Sequence, residues 1–277
     1  MRKIALFSFL VSLPFTCLLF GQEPKKTTPF DGVFAYAINT RQLVTISKDI
    51  NESNARLLTK AVCPTHAISS TITLAPGKNI DGAGRSGFQY DAESEVPAGN
   101  YCLLVDSSAH QNMFTWGSGD SPVLLHEQKC LSEIAEQAES LTGRKVASCY
   151  LIGVDGNGRL ELIEYAYNSP GDRLAALMVI DYSPVAGPSR YSIIRFSSGS
   201  PVWAAEKDGL FHPERFRHLF TISDDPDSEV WLVAIEWAGP AGTDLTLYQS
   251  VGTELRPILV NHDSSHYKEQ SSDIAAN

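Results

Sequence analysis

The sequence predicts a mainly β protein built of antiparallel sheets, propeller-like or sandwich-like, with one amphipathic helix. Three observations carry that expectation. Short runs rich in Val, Ile, Leu and aromatic residues recur along the chain, Gly, Pro, Asn and Asp separate them, and only one stretch repeats apolar residues at helical spacing. With 277 residues, 43% of them hydrophobic and 19% charged, the chain is large and apolar enough to bury a real core.

Residues 1–21, "MRKIALFSFLVSLPFTCLLFG", read as an export signal: Arg2 and Lys3 form a short cationic start, and a largely apolar run follows up to Gly21. The other reading of this stretch is a retained anchor, since its 18 residues from Ile4 just suffice to span a bilayer. Residues 22–30, "QEPKKTTPF", are a polar spacer with two prolines.

Residues 31–112 form an N-terminal β region. "VFAYAI" and "QLVTI" flank Asn39-Thr40-Arg41 as a hairpin, and "TITL" stops at Pro76-Gly77. "SEVPAGNYCLLV" reads as strand, turn and strand. In "DGAGRSGF" the glycines Gly82, Gly84 and Gly87 have dinucleotide-fingerprint spacing, but the chain then turns into another extended run. Without a helix to meet a pyrophosphate, this is a glycine loop.

Residues 113–262 hold the helix and a C-terminal β region. The helix is expected over about 121–143: Ser121-Pro122 supplies cap and first-turn proline, Leu124, Leu131, Ile134, Ala135, Ala138 and Leu141 recur, and Gly143 ends it. Its polar face is acidic, which suits docking on the protein and not on a membrane. "CYLIGV", "RLELIEYAY", "LAALMVI", "YSIIRF", "EVWLVAIEW" and "DLTLYQS" follow as strands. "HPERFRHLF" reads as a helical turn with His212 and His218 as surface or capping groups. Trp116, Trp203, Trp231 and Trp237 fall mostly at alternating strand positions, which suits core better than a sugar-binding face. Residues 263–277 are a polar, flexible tail. Next to it, His262 and His266 stand four apart, in a segment too poorly ordered for a good metal site.

Five cysteines become four once the leader is removed: Cys63, Cys102, Cys130 and Cys149. An even number in an exported chain implies two disulfides. Three pairings are allowed, and proximity in the chain favours Cys63–Cys102 and Cys130–Cys149. No CxxC spacing supports structural zinc or thioredoxin-like chemistry. Loss of the leader removes two cations and no carboxylate, taking the formal net charge from −10 to about −12. With no basic patch to offset it, that charge excludes nucleic acid as a partner. No second apolar run is long enough to span a membrane.

The strongest site candidate lies in "LIGVDGNGRLELIEY". A loop presenting alternate side chains inward offers Asp155, Asn157 and Glu161 to one hard cation, with the Arg159 carbonyl beside them and water completing a calcium shell. Asn157-Gly158 is equally a favoured hairpin pair, because both residues tolerate positive φ. A tight turn and a weak calcium loop therefore both stand.

These residues resemble the loop of FG-GAP/VCBS repeats, the integrin-alpha-like propeller blades. The match rests on Asp155, Asn157, Gly158 and Glu161, and it departs at Gly153, where that family carries a first carboxylate. "ISDDPDSEVWLVAIEW" is similar in weaker form, with Asp225 and Glu229 matching Asn157 and Glu161 at an offset of 68 residues. "IEYAY" and "IEWAG" then continue alike. Over residues 148–260 the resemblance implies two repeat units and a bound calcium.

The expected function is an exported, non-catalytic protein of the periplasm, cell envelope or extracellular space. It would be structural or bind a protein or carbohydrate ligand, with a weak calcium site. The alternative is a secreted hydrolase with a carboxylate acid and base; no Gly-x-Ser-x-Gly elbow is present.

Overall fold

Alternation of apolar residues gives the strands two sticky faces, and the architecture follows from what covers each face. The computed structural model describes residues 32–46, 50–64, 72–82, 85–106, 114–116, 127–128, 130–154, 158–182, 189–204, 210–223 and 231–264. In the first part of the chain lie β1 (Gly32–Asn39), β2 (Gln42–Thr45), α1 (Glu52–Leu57), β3 (Leu58–Val62), β4 (Ile72–Thr73), β5 (Lys78–Gly82), β6 (Arg85–Asp91) and β7 (Tyr101–Asp106). They form a curled, antiparallel half-barrel in the order β4-β3-β7-β1-β2-β6-β5.

The hairpin expected around Thr40-Arg41 is β1–β2, with Asn39 opposite Gln42 and the Arg41 amide donating to Asn39 Oδ1 at 2.8 Å. The glycine-rich stretch is the β5–β6 hairpin, Gly82 facing Arg85, so no helix follows its glycines. Residues 95–97 are irregular and not the strand expected before Pro97. Val96 is buried there, its amide donating to Thr40 O, and a turn through Gly99 (φ +79°) leads into β7.

The second part gives β8 (Phe114–Trp116), β9 (Glu127–Gln128), α2 (Ser132–Thr142), β10 (Val146–Val154), β11 (Gly158–Tyr165), β12 (Leu174–Asp181), β13 (Arg190–Ser197), α3 (Pro201–Ala204), β14 (Phe216–Ser223), β15 (Trp231–Gly239), β16 (Gly242–Val251) and β17 (Glu254–Asp263). Two four-stranded meanders, β10–β13 and β14–β17, join edge to edge where β13 meets β17 in parallel at Ile193 and Glu254. The sheet curls until β10 stands against β14, giving a nearly closed barrel.

Each face of this barrel has a distinct cover. Its inner face encloses Ile152, Leu160, Leu162, Leu177, Phe216, Val233 and Ile235. Outside β10–β13, Ile134 and Ala138 of α2 pack on Ile163, Tyr165 and Met178. Outside β14–β17, the first sheet supplies Phe34, Val62, Tyr101, Leu103 and Val105 against Phe220, Ile222, Ala234, Leu245 and Leu247. The two sheets therefore share one core face to face, a sandwich of curled layers. The other face of the first sheet closes over Ala55 of α1, whose carbonyl accepts from the Tyr90 hydroxyl at 2.8 Å.

The helix is shorter than its expected 121–143. It begins at Ser132 behind Leu131, and Gly143 closes it in the left-handed region, φ +70°. Residues 121–126 lie outside the described set, and Glu127–Gln128 is a strand paired with β10. That pairing and the bridge to Cys149 hold Glu127, Gln128 and Cys130 against β10, so the helix starts beyond them. Two further corrections follow from strand length. "FRHLF" belongs to β14 and not to a helical turn, because the 3-10 turn ends at Arg215. β17 carries His262 and runs through Asp263, one residue into the expected 263–277 tail, and residues 265–277 lie outside the described set.

Candidate functional site

Asp155 and Asn157 lie outside the described residues. The strands that flank them pair, with Val154 opposite Arg159 and Gly153 opposite Leu160. Glu161 sits deeper, opposite Leu151 and Met178, and is 2% exposed. Strand alternation puts Arg159 and Glu161 on one face. The guanidinium reaches the carboxylate from there: Nη2 stands 2.5 Å and Nε 3.0 Å from Oε1. Burial pushes the Glu161 carboxyl up, and Arg159 pulls it back down. A cation in the loop would have to compete with that guanidinium, so the donor set fits calcium weakly. The sequence reading assigned Arg159 only a carbonyl role and missed its side chain.

The two matched segments of the apparent repeat occupy the second strand of each meander, but they do not face alike. Ile163 points outward under α2, whereas Ile235 points into the barrel. Asp225 and Glu229 lie outside the described residues.

A second polar group lies along the seam between the sheets. The buried Tyr101 hydroxyl donates to Asp263 Oδ2 at 3.1 Å, with the Tyr36 ring centre 5.2 Å from that of Tyr101. Arg217 donates to the Asn100 amide oxygen and stands 3.5 Å from Glu236 Oε2. Burial raises the Glu236 carboxyl, tempered by Arg217. Burial and then the charges of Asp263 and Glu236 hold the Tyr101 phenol well above its usual range. The first sheet's Asn100 and Tyr101 thus meet β14, β15 and β17 through polar contacts that flank the shared core. Tyr101 and Asp263 are 162 residues apart, so no local pattern announces the pair.

His218 was expected at the surface and is instead fully buried where the barrel closes. Its Nε2 lies 2.9 Å from Thr221 Oγ1, and burial drives its pKa down to about 3, so the ring is neutral. Gly153 on β10 abuts the ring: a Cβ there would sit 2.5 Å from Nδ1. Close backbone approach explains why glycine stands where a first loop carboxylate was sought.

Both disulfides pair as chain proximity suggested. Cys63 follows β3 directly and bridges to Cys102 on the adjacent β7, Cα atoms 4.3 Å apart. Cys130 and Cys149 tie the approach to α2 onto β10, Cα atoms 5.2 Å apart. Among the other residues singled out, His262 Nδ1 lies 2.7 Å from Asp244 Oδ1 across the β16–β17 pair, and His212 Nδ1 lies 2.6 Å from Glu214. His266 lies outside the described residues. Trp203 and Trp231 are core residues, Trp203 on α3 and not on a strand, while Trp237 is partly buried at the edge of the barrel interior. Among the described residues no helix is long and apolar enough to cross a membrane.

No family model matches the chain, and no curated protein or solved structure matches it either.

Proposed function

We propose that this chain acts outside the cytosol, in the periplasm, at the cell envelope or beyond it, as a non-catalytic β scaffold that binds a protein or carbohydrate ligand. The observation that carries this reading is the pair of disulfides, one closing neighbouring strands of the first sheet and one tying helix to second sheet. Bridges of this kind persist in oxidising compartments, and the apolar leader of residues 1–21 is of the sort that takes a chain there. The buried ionisable groups support the same reading, since Glu161, Glu236 and Asp263 each hold a fold contact with Arg159, Arg217 and Tyr101. Asp155, Asn157 and Glu161 add at most a weak calcium site.

Melting curves of the exported protein test this. Reduction should lower the melting temperature sharply, and calcium should raise it slightly, an increment lost in Asp155→Ala. Indifference to reductant contradicts the scaffold reading; indifference to calcium removes only the ion. The hydrolase alternative has one observation in its favour: two carboxylates, Asp263 at the Tyr101 hydroxyl and Glu236 beside Arg217, lie along one seam. Turnover of a chromogenic glycoside or ester that vanishes in Glu236→Gln would establish it.

A further inference from the structure

One arginine of the barrel is left unspent by the fold. Arg173, just ahead of β12, lays its guanidinium carbon 5.7 Å from the ring centres of both Tyr167 and Trp203. The rings stand edge-on to each other at 6.5 Å. Trp203 is 2% exposed and anchored by its indole N–H, which donates to Phe196 O at 2.9 Å, while Tyr167 is 36% exposed. Among the described residues the buried Nε–H of Arg173 has no acceptor.

Other arginines of the barrel find acids: Arg159 takes Glu161 and Arg217 takes Glu236. The carboxylate next to Arg173 in sequence, Asp172, is engaged by Arg144 instead. A second orphan lies on the adjoining turn, where the buried Ser200 hydroxyl also has no partner. That turn abuts the Arg173 segment: Ser197 pairs with Leu174, and Ser198 donates to Gly171 O at 3.0 Å. Arg173 is only half-buried, so a ligand carboxylate can reach the guanidinium from its solvent side and supply the acid that the described fold does not.

We propose that this corner binds the carboxylate of an acidic sugar. The part-exposed guanidinium takes the carboxylate in its plane. The part-exposed Tyr167 ring stacks on the C–H groups of the sugar ring, whose partial positive charge suits an aromatic face. Stacking on two rings pre-orients the guanidinium, so little side-chain entropy is lost on binding. The proposal deepens the carbohydrate branch of the scaffold reading and rests on it.

Titration of the full oxidised protein with sodium glucuronate, with glucose and acetate as controls, tests it. The readouts are Arg173 Nε–H resonance shifts and indole fluorescence. Glucuronate should shift the Arg173 signal at millimolar concentration, with affinity at least about tenfold above acetate or glucose, the worth of one charge-assisted hydrogen bond. Arg173→Gln should lose that advantage at an unchanged melting temperature. Tyr167→Ala, at a part-exposed site, should lose the sugar increment while keeping acetate binding, and it serves if Arg173→Gln does not fold. No shift with glucuronate, equal binding of acetate, or undiminished binding in the folded variants overturns the proposal. Such a failure with both disulfides intact leaves the scaffold reading standing, whereas failure of that reading shows as free thiols.

Discussion

Acid should loosen the barrel through His218, and His218→Gln isolates the effect. The unfolded chain takes up this proton near pH 6.5, whereas the buried ring resists it until about pH 3. Between those values the unfolded state holds more protons, so stability falls as pH falls, by about 1.4 kcal/mol per unit once well below 6.5. From pH 7.5 to pH 5 the loss works out at about 2 kcal/mol. Glutamine does not titrate, so the variant escapes this loss although its packing costs something at every pH. The buried Glu161 and Glu236 carboxyls are shifted upward and pull the other way, but they are common to both proteins and cancel in the difference. Urea unfolding of wild type and variant at the two pH values, with disulfides intact, measures it. The wild-type advantage should shrink by about 2 kcal/mol at pH 5. An advantage of equal size at both pH values would show that the ring is not held neutral by burial.

Gly153→Ala should destabilise by about 1–3 kcal/mol, because the new methyl carbon lands 2.5 Å from His218 Nδ1. Paired with His218→Ala it should cost less than the sum of the two, as unfolding midpoints of the double variant will show. Arg217→Ala strips the cation from the buried Glu236 and should cost about 1–3 kcal/mol. The carboxyl then binds its proton more tightly folded than unfolded, so the deficit should grow from pH 5 to pH 8; a flat deficit would point to packing alone. Replacing Cys63 and Cys102 by alanine should cost about 4 kcal/mol against about 3 for Cys130 and Cys149, the chain separations being 39 and 19 residues.

What the sequence made legible was whatever repeats locally. The alternating run "RLELIEY" and the continuous apolar run "LAALMVI" read directly as β11 and β12, and Asn39-Thr40-Arg41 read as the β1–β2 turn. The Cys130–Cys149 pair could be guessed because few residues separate its ends. The helix start could not, because Leu124 continues the apolar spacing while the β9 pairing and the bridge hold Glu127, Gln128 and Cys130 to β10. His218 was misread because its charged neighbours look like helix surface, yet every second residue of a strand turns inward. At the calcium candidate the spacing offers Glu161 to an ion and only the carbonyl of its alternate neighbour Arg159. What it could not reveal is that two such side chains satisfy each other. The seam contact of Tyr101 with Asp263 and the stack of Arg173 on Trp203 arise from the tertiary path alone.

Two covalent bridges pin the layered β body, and an oxidising compartment is what keeps them closed. A peptide map of the exported, unreduced protein tests this most directly. It should recover Cys63 joined to Cys102 and Cys130 joined to Cys149, with no free thiol after denaturation. Crossed pairs, or four titratable thiols, would contradict both the fold and the compartment argued from it.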